Sequence, residues 1–318
     1  MKRIAVLSFL LLAQPALAQT PPTAQITNGP VKATLYLPDA KTGYYRGARF
    51  DWSGVIASLE HGGHSYFGVW FDRYEPTLHD AITGPVEEFA PLDYDAAKPG
   101  ETFLKPGVGV LRRRDDRPYH FATPFEIVNG GTWTVDPKPD HVTFVQELRD
   151  PGGYAYRYEK TVRLVPGQPQ LRLEHRLTNT GQRRLETTVY DHNFLVMDRQ
   201  PSGPDFRVTF PFDLRLNGPE HPVVRAEGRE VRYVKPLEKP NSAYLALTGH
   251  GPTAADYDIR VENHKTKAGV RIRGDRPMAK LAFWTNPANL SPEPFLALDV
   301  APGQSTTWTL TYDFYKVP

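Results

Sequence analysis

Apolar and polar residues alternate with a period of two along much of this chain, the pattern of strands with one buried face. Val31 to Leu37 reads Val-Lys-Ala-Thr-Leu-Tyr-Leu, and Arg157 to Val165 alternates again after a Pro-Gly-Gly turn. Leu171 to Leu177 reads Leu-Arg-Leu-Glu-His-Arg-Leu, a half-buried antiparallel strand that Asn179-Thr180-Gly181 closes as a turn. Glu186 to Tyr190, Arg207 to Phe212, Val231 to Val234, Tyr244 to Leu247, Ile259 to Asn263, Gly269 to Ile272 and Leu281 to Trp284 continue the series. The last long strand is Thr306 to Tyr315, with Trp308, Leu310, Tyr312 and Phe314 on one face. No segment carries a helical period over more than about two turns. Many short strands with turn signals between them predict an all-β protein, a large antiparallel β-sandwich.

Composition sharpens this picture. The chain has 318 residues, 31 of them proline and 25 glycine, with 16 Tyr and 16 Phe, a mixture suited to short strands and turns. It has no cysteine, which excludes a disulfide framework, a thiolate nucleophile and any cysteine-ligated metal centre. No repeat and no low-complexity linker divides it, so residues 19–318 are expected to form a single domain.

Residues 1–18 read as a secretory leader. Lys2 and Arg3 precede an apolar run from Ile4 to Leu12 broken only by Ser8, and Ala16-Leu17-Ala18 supplies the small-x-small cleavage pattern. Cleavage after Ala18 leaves 36 basic and 36 acidic residues, because Lys2 and Arg3 are the only charges removed from totals of 38 and 36. A neutral surface does not favour nucleic acid or anionic lipid as partner, and no later apolar run is long enough to span a bilayer. The expected location is periplasmic or secreted, with no membrane insertion.

Four clusters carry candidate chemistry. The first, Tyr44 to Gly54, interleaves aromatic rings with Arg46 and Arg49. Rings suit the C–H faces of sugars and guanidinium donors suit hydroxyls, although an Arg–Asp pair on a strand edge fits equally. His61 and His64 after it flank a Gly-Gly hairpin turn. The second runs from His79-Asp80 through Gly84-Pro85 to Glu87-Glu88, whose carboxylates must point to opposite faces of a strand; solvated loop acids are the alternative. Beyond it, the run Arg112 to Arg117 reads as a solvated hairpin from which only Arg112 is placed to face a pocket. The third, Thr188 to Val196, sets His192 within an apolar strand, with Tyr190, His192 and Phe194 on one face and Asp191 and Asn193 on the other. A histidine there must be hydrogen-bonded in the core or used. The fourth joins Phe283-Trp284-Thr285-Asn286 to Pro292-Glu293-Pro294-Phe295. A glutamate restrained among apolar residues has its pKa raised toward a general-base range, whereas a glutamate in a proline-stiffened surface loop has not.

The motifs Asp191-His192-Asn193-Phe194 and Pro292-Glu293-Pro294 resemble those of the galactose mutarotase superfamily, the aldose 1-epimerase-like proteins. The first is similar to that family's Asn-His-x-Phe motif around its catalytic histidine. The second is similar to its late Glu-Pro motif, here followed by Ala301-Pro302-Gly303 and the closing strand. The resemblance implies a supersandwich fold with an open sugar cleft, no cofactor and no metal. By resemblance, Glu293 is the base and His192 the acid that together open and reclose the hemiacetal ring of a free sugar. Arg49, Arg112 and His79 would hold hydroxyls, Trp284 would stack on the ring, and Glu88, Tyr190 and Asn193 would complete the cleft. The family's second cleft histidine has no clear counterpart: Val108 stands near its place, and His79 is the available substitute. The ligand expected is a sugar or oligosaccharide. Two other readings use the same fold: a non-catalytic polysaccharide-binding protein, and a polysaccharide lyase for which Tyr190 is an available base.

Overall fold

In the computed structural model, residues 20–318 are described; the proposed leader lies outside them. Every paired strand is antiparallel, and the only helical segments among the described residues are two three-residue 3₁₀ turns. No helix among them is long and apolar enough to cross a membrane.

Two sheets form the body. The larger has ten strands, and at its centre Ser305–Lys316 pairs with Gln170–Asn179 on one side and Ala268–Gly274 on the other. The smaller has six strands, in the order Arg215–Leu216, Ala243–Thr248, Lys280–Asn286, Asn289–Val300, Leu185–His192 and Val86–Phe89. A four-stranded sheet from Thr23 to Phe67 and a three-stranded sheet from Thr102 to Asn129 complete the fold.

Strand parity explains which residues meet between the two main sheets. Trp308, Leu310, Tyr312 and Phe314 are all buried, on the one face that alternation predicted. Facing them are Leu185, Val189, Leu281, Phe283, Leu296 and Leu298 of the smaller sheet, members of the same apolar core. Burying large apolar side chains of this kind contributes roughly 1.5–3 kcal/mol each.

Charged residues also lie in this layer. The Lys160 ammonium pairs with Glu87, whose other oxygen meets His175 Nε2 at 2.7 Å. Against the upward push of burial, Lys160 and His175 hold the Glu87 carboxyl down at about 2. The alternative of solvated loop acids at 87–88 fails here: both carboxylates are buried and each is paired with a cation.

The Pro292–Pro294 segment departs from expectation as well. It is part of the Asn289–Val300 strand, between two neighbours, rather than a loop. Its ladder to Leu185–His192 ends at Tyr190↔Phe295 and resumes only at the Leu195↔Leu290 bridge. Leu290 donates its N–H to Leu195, so the even-numbered positions 292 and 294 face the same gap. Proline nitrogens there forgo no ladder bond, which reconciles two prolines with a central strand.

Candidate functional site

The other face of the six-stranded sheet carries the site. Cross-strand register sets Tyr244 beside Trp284, Glu293 beside Ala282, and Phe295 beside Tyr190, which in turn lies beside Glu88. These positions share one face because directly paired residues point the same way. Loops containing Arg49, Asp80 and Phe121 close over it, enclosing a cavity of about 440 Å³.

His192 and Glu293 meet on the cavity wall. His192 Nε2 lies 3.1 Å from Glu293 Oε1, and both side chains are almost fully buried. The gap in the ladder lets this happen: with no backbone pairing beyond Tyr190↔Phe295, the two strands diverge around the contact. Phe194 stacks on the imidazole at 3.6 Å between centroids, while Phe50 and Trp284 meet it edge-on. Phe194 adopts φ 41°, an uncommon conformation for a bulky residue. His192 Nδ1 is buried without a hydrogen-bond partner.

Burial determines where the proton rests. It pushes the Glu293 carboxyl up to about 8, with the nearby Arg49 charge opposing and Glu88 reinforcing the shift. Burial, aided by Arg49, drives His192 well below its ordinary value. Around neutral pH the pair is a carboxylic acid facing a neutral imidazole, so it holds one transferable proton and one free acceptor.

Arg49 is the hub of the polar wall. Its Nε donates to Glu88 Oε2 at 2.8 Å, Nη2 to the Tyr190 hydroxyl at 3.1 Å, and Nη1 to Asp80. The Arg49 guanidinium also lies over the Phe121 ring at 4.0 Å. Glu88 additionally accepts from Tyr190 at 2.6 Å and from the buried Lys105 at 3.0 Å. Although burial opposes ionisation, Lys105 and Arg49 hold Glu88 at about 2. Tyr190, driven well above 10 by burial, is a donor to Glu88 and a poor base.

Five of the nine residues expected in the cleft line the cavity: Arg49, Tyr190, His192, Trp284 and Glu293. The other four stand elsewhere. Glu88 lies behind the wall, consumed by Arg49, Lys105 and Tyr190. His79 flanks the wall, with Nε2 3.1 Å from Asp80. Arg112 faces away: its guanidinium pairs with Glu126 at 2.8 Å, across the edge of the three-stranded sheet, and bonds the Gly100 carbonyl. The neighbouring Arg113 is the buried one of that run, bonding the Tyr94 and Ala97 carbonyls. Asn193 points into the inter-sheet layer, fully buried, because its strand position has the opposite parity to His192. Val108 is buried in a separate apolar cluster.

Asp80, Phe121 and Tyr244 were not foreseen as cavity residues. Asp80 lies in the second sequence cluster without being singled out, Tyr244 is the large ring opposite in parity to Leu245 and Leu247, and Phe121 left no trace. His61 and His64 do flank the hairpin turn, tied to the Pro30 carbonyl and Asp198. Among the described residues no group of three or more His, Asp or Glu side chains is disposed to hold a metal ion.

No protein-family model matches the sequence, and no curated protein matches it. Solved structures do match. The Slr1438 protein from Synechocystis aligns over 96% of this chain and 100% of its own, with TM-score 0.57 and 14% identity. A galactose mutarotase-like protein from Lactobacillus casei (TM-score 0.54, 12% identity) covers 92% of this chain and 100% of its own. The fold is that of the galactose mutarotase-like proteins. The GalM/aldose epimerase homologue from C. elegans (TM-score 0.57, 14% identity) covers 94% and 100%. At these identities the likeness extends to the fold alone.

Proposed function

We propose that the protein is a cofactor-free aldose 1-epimerase-like enzyme, interconverting sugar anomers by proton transfer between Glu293 and His192. The observation that carries this reading is the 3.1 Å contact of a carboxyl and an imidazole, buried and opening on a ring-lined cavity. Anomer exchange requires one group to protonate the ring oxygen while another takes the C1 hydroxyl proton. A neutral carboxylic acid beside a neutral imidazole supplies both together. The resting proton lies on Glu293, the reverse of the roles that the resemblance implies. Glu293 therefore protonates the ring oxygen and His192 Nε2 accepts the hydroxyl proton; after rotation about C1–C2 both transfers reverse.

Positioned proton transfer of this kind contributes about 10²–10⁴-fold, enough for a reaction that already proceeds in water. Trp284, Tyr244 and Phe121 present apolar faces to the sugar, and Arg49 and Asp80 offer a donor and an acceptor to its hydroxyls. The leader at residues 1–18 supports a periplasmic or secreted setting, where free sugars and polysaccharide ends are the available ligands. The engagement of Tyr190 with Glu88 and Arg49 speaks against a tyrosine-based lyase. The test is anomer exchange measured by NMR on the purified mature protein, with Glu293→Gln and His192→Asn as controls.

A further inference from the structure

His192 lacks the support that usually orients a working imidazole. Its second nitrogen has no partner, so no hydrogen bond on the ring fixes its tautomer or its tilt. Its backbone pairs with Val86 on one side but is short of support on the Glu293 side, where the ladder between the two strands stops at Tyr190↔Phe295. Ring stacking by Phe194 fixes a plane but not a distance to Glu293.

A chain of side-chain hydrogen bonds fills this gap from the opposite sheet. The Tyr312 hydroxyl, on the ten-stranded sheet, contacts Asp191 Oδ2 and lies 2.8 Å from Asn193 Oδ1. Those residues flank His192 on either side. Asn193 Nδ2 donates to the Pro292 carbonyl at 2.7 Å, immediately before Glu293, and Asn193 N–H donates to Ser291 Oγ at 2.9 Å.

Proton accounting gives the chain a direction. The amide of Asn193 is pinned by Pro292, because only its NH₂ can meet a carbonyl, so Asn193 Oδ1 faces Tyr312 as an acceptor. Tyr312 has a single hydrogen, and it goes to Asn193. Asp191 must then supply its own hydrogen to the Tyr312 oxygen, which requires a neutral carboxylic acid. Burial, reinforced by the Glu87 charge, indeed raises Asp191 to about 8.

The geometry points to Tyr312 and Asn193 as positioning residues, forming an Asp191→Tyr312→Asn193→Pro292 clamp that replaces the missing ladder and sets the His192–Glu293 contact. This rests on the proposed anomer chemistry for its kinetic readout but not for its structural one. It also gives Asn193 a role behind the cavity wall rather than in contact with sugar.

The test uses the full mature chain with ¹⁵N-labelled histidine, the His192 signals being assigned by their loss in His192→Asn. Tyr312→Phe removes the central hydroxyl. It should lower kcat about 10²-fold, the order expected for misplacing a reacting group by about 1 Å, and leave KM nearly unchanged. It should also shift the His192 ring signals while those of the surface histidines stay in place. Should that variant fail to fold, Ser291→Ala removes one outer link and is expected to shift the same signals less. Asp191→Asn replaces the donating O–H by a donating N–H, so it should fold and keep the wild-type His192 signals. The clamp is refuted if a folded Tyr312→Phe, or Ser291→Ala in its place, leaves the His192 signals and kcat unaltered. An Asp191→Asn variant that disturbs His192 as strongly as Tyr312→Phe refutes the direction of the chain. Absence of exchange in the wild type would overturn the epimerase reading, and the His192 signals would still decide the clamp.

Discussion

Glu293 Oε1 lies 3.1 Å from His192 Nε2, and no backbone ladder joins their two strands at that point. Their strands part between Tyr190↔Phe295 and Leu195↔Leu290, and the side chains occupy the opening. An acid and a base are thus built into the middle of a sheet face without a loop to carry either.

This arrangement predicts the pH profile of exchange. Glu293 gives up its proton as pH rises through about 8, so the rate should fall across that value. It should stay level between pH 7 and 8's acid flank, because His192 is pushed well below 6.5 and remains neutral there. A pH–rate series on wild type reads this directly; a rate that rises through pH 8 would assign Glu293 as the resting base instead.

The same shift makes a stability prediction. Glu293 titrates at about 8 folded against an ordinary 4.5. Its contribution is therefore fully present below 4.5 and is lost as pH rises toward 8. Each pKa unit corresponds to about 1.4 kcal/mol, so the loss amounts to a few kcal/mol. Glu293→Gln should be more stable than wild type at pH 8 and equal to it at pH 4, measured by urea denaturation.

Arg49 and Arg112 should behave differently. Arg49→Lys keeps the charge but cannot reach Glu88, Asp80 and Tyr190 together, so sugar binding should weaken about tenfold and the melting temperature should fall. Arg112→Ala removes an exposed pair and a bond to the Gly100 carbonyl, away from the cavity, so it should leave sugar binding unchanged and move the melting temperature little. Sugar titration and thermal melts of the two variants compare them.

Lys160→Met should be among the most destabilising single changes. It leaves Glu87 in the inter-sheet layer with only the His175 contact and orphans a contact to the Ser53 carbonyl. Removing one partner of a buried pair costs about 3–5 kcal/mol, which denaturant unfolding would register.

Local alternation made the central strands legible, because one buried face imposes a period of two on Leu171–Leu177 and Thr306–Tyr315. It also fixed that Tyr190 and His192 share a face and that Glu87 and Glu88 do not. What alternation does not encode is the partner across space. Glu88, expected in the cleft or else among solvated loop acids, is instead buried with Lys105 and Arg49. Arg112 and Arg113 are adjacent arginines, and only the tertiary position of the Tyr94 and Ala97 carbonyls selects the second for burial. Pro292 and Pro294 argue locally for a loop; a ladder gap formed by a strand from elsewhere in the chain overrides them. Asn193 was read toward the sugar from its motif, although its parity already set it against the core.

The most direct test of the account is anomer exchange by NMR on wild type, His192→Asn and Glu293→Gln, across neutral hexoses, pentoses and uronic acids. The account predicts acceleration of at least one sugar by wild type and its loss, by about 10² or more, in both variants. Exchange that survives either substitution, or no acceleration of any sugar by wild type, would contradict it.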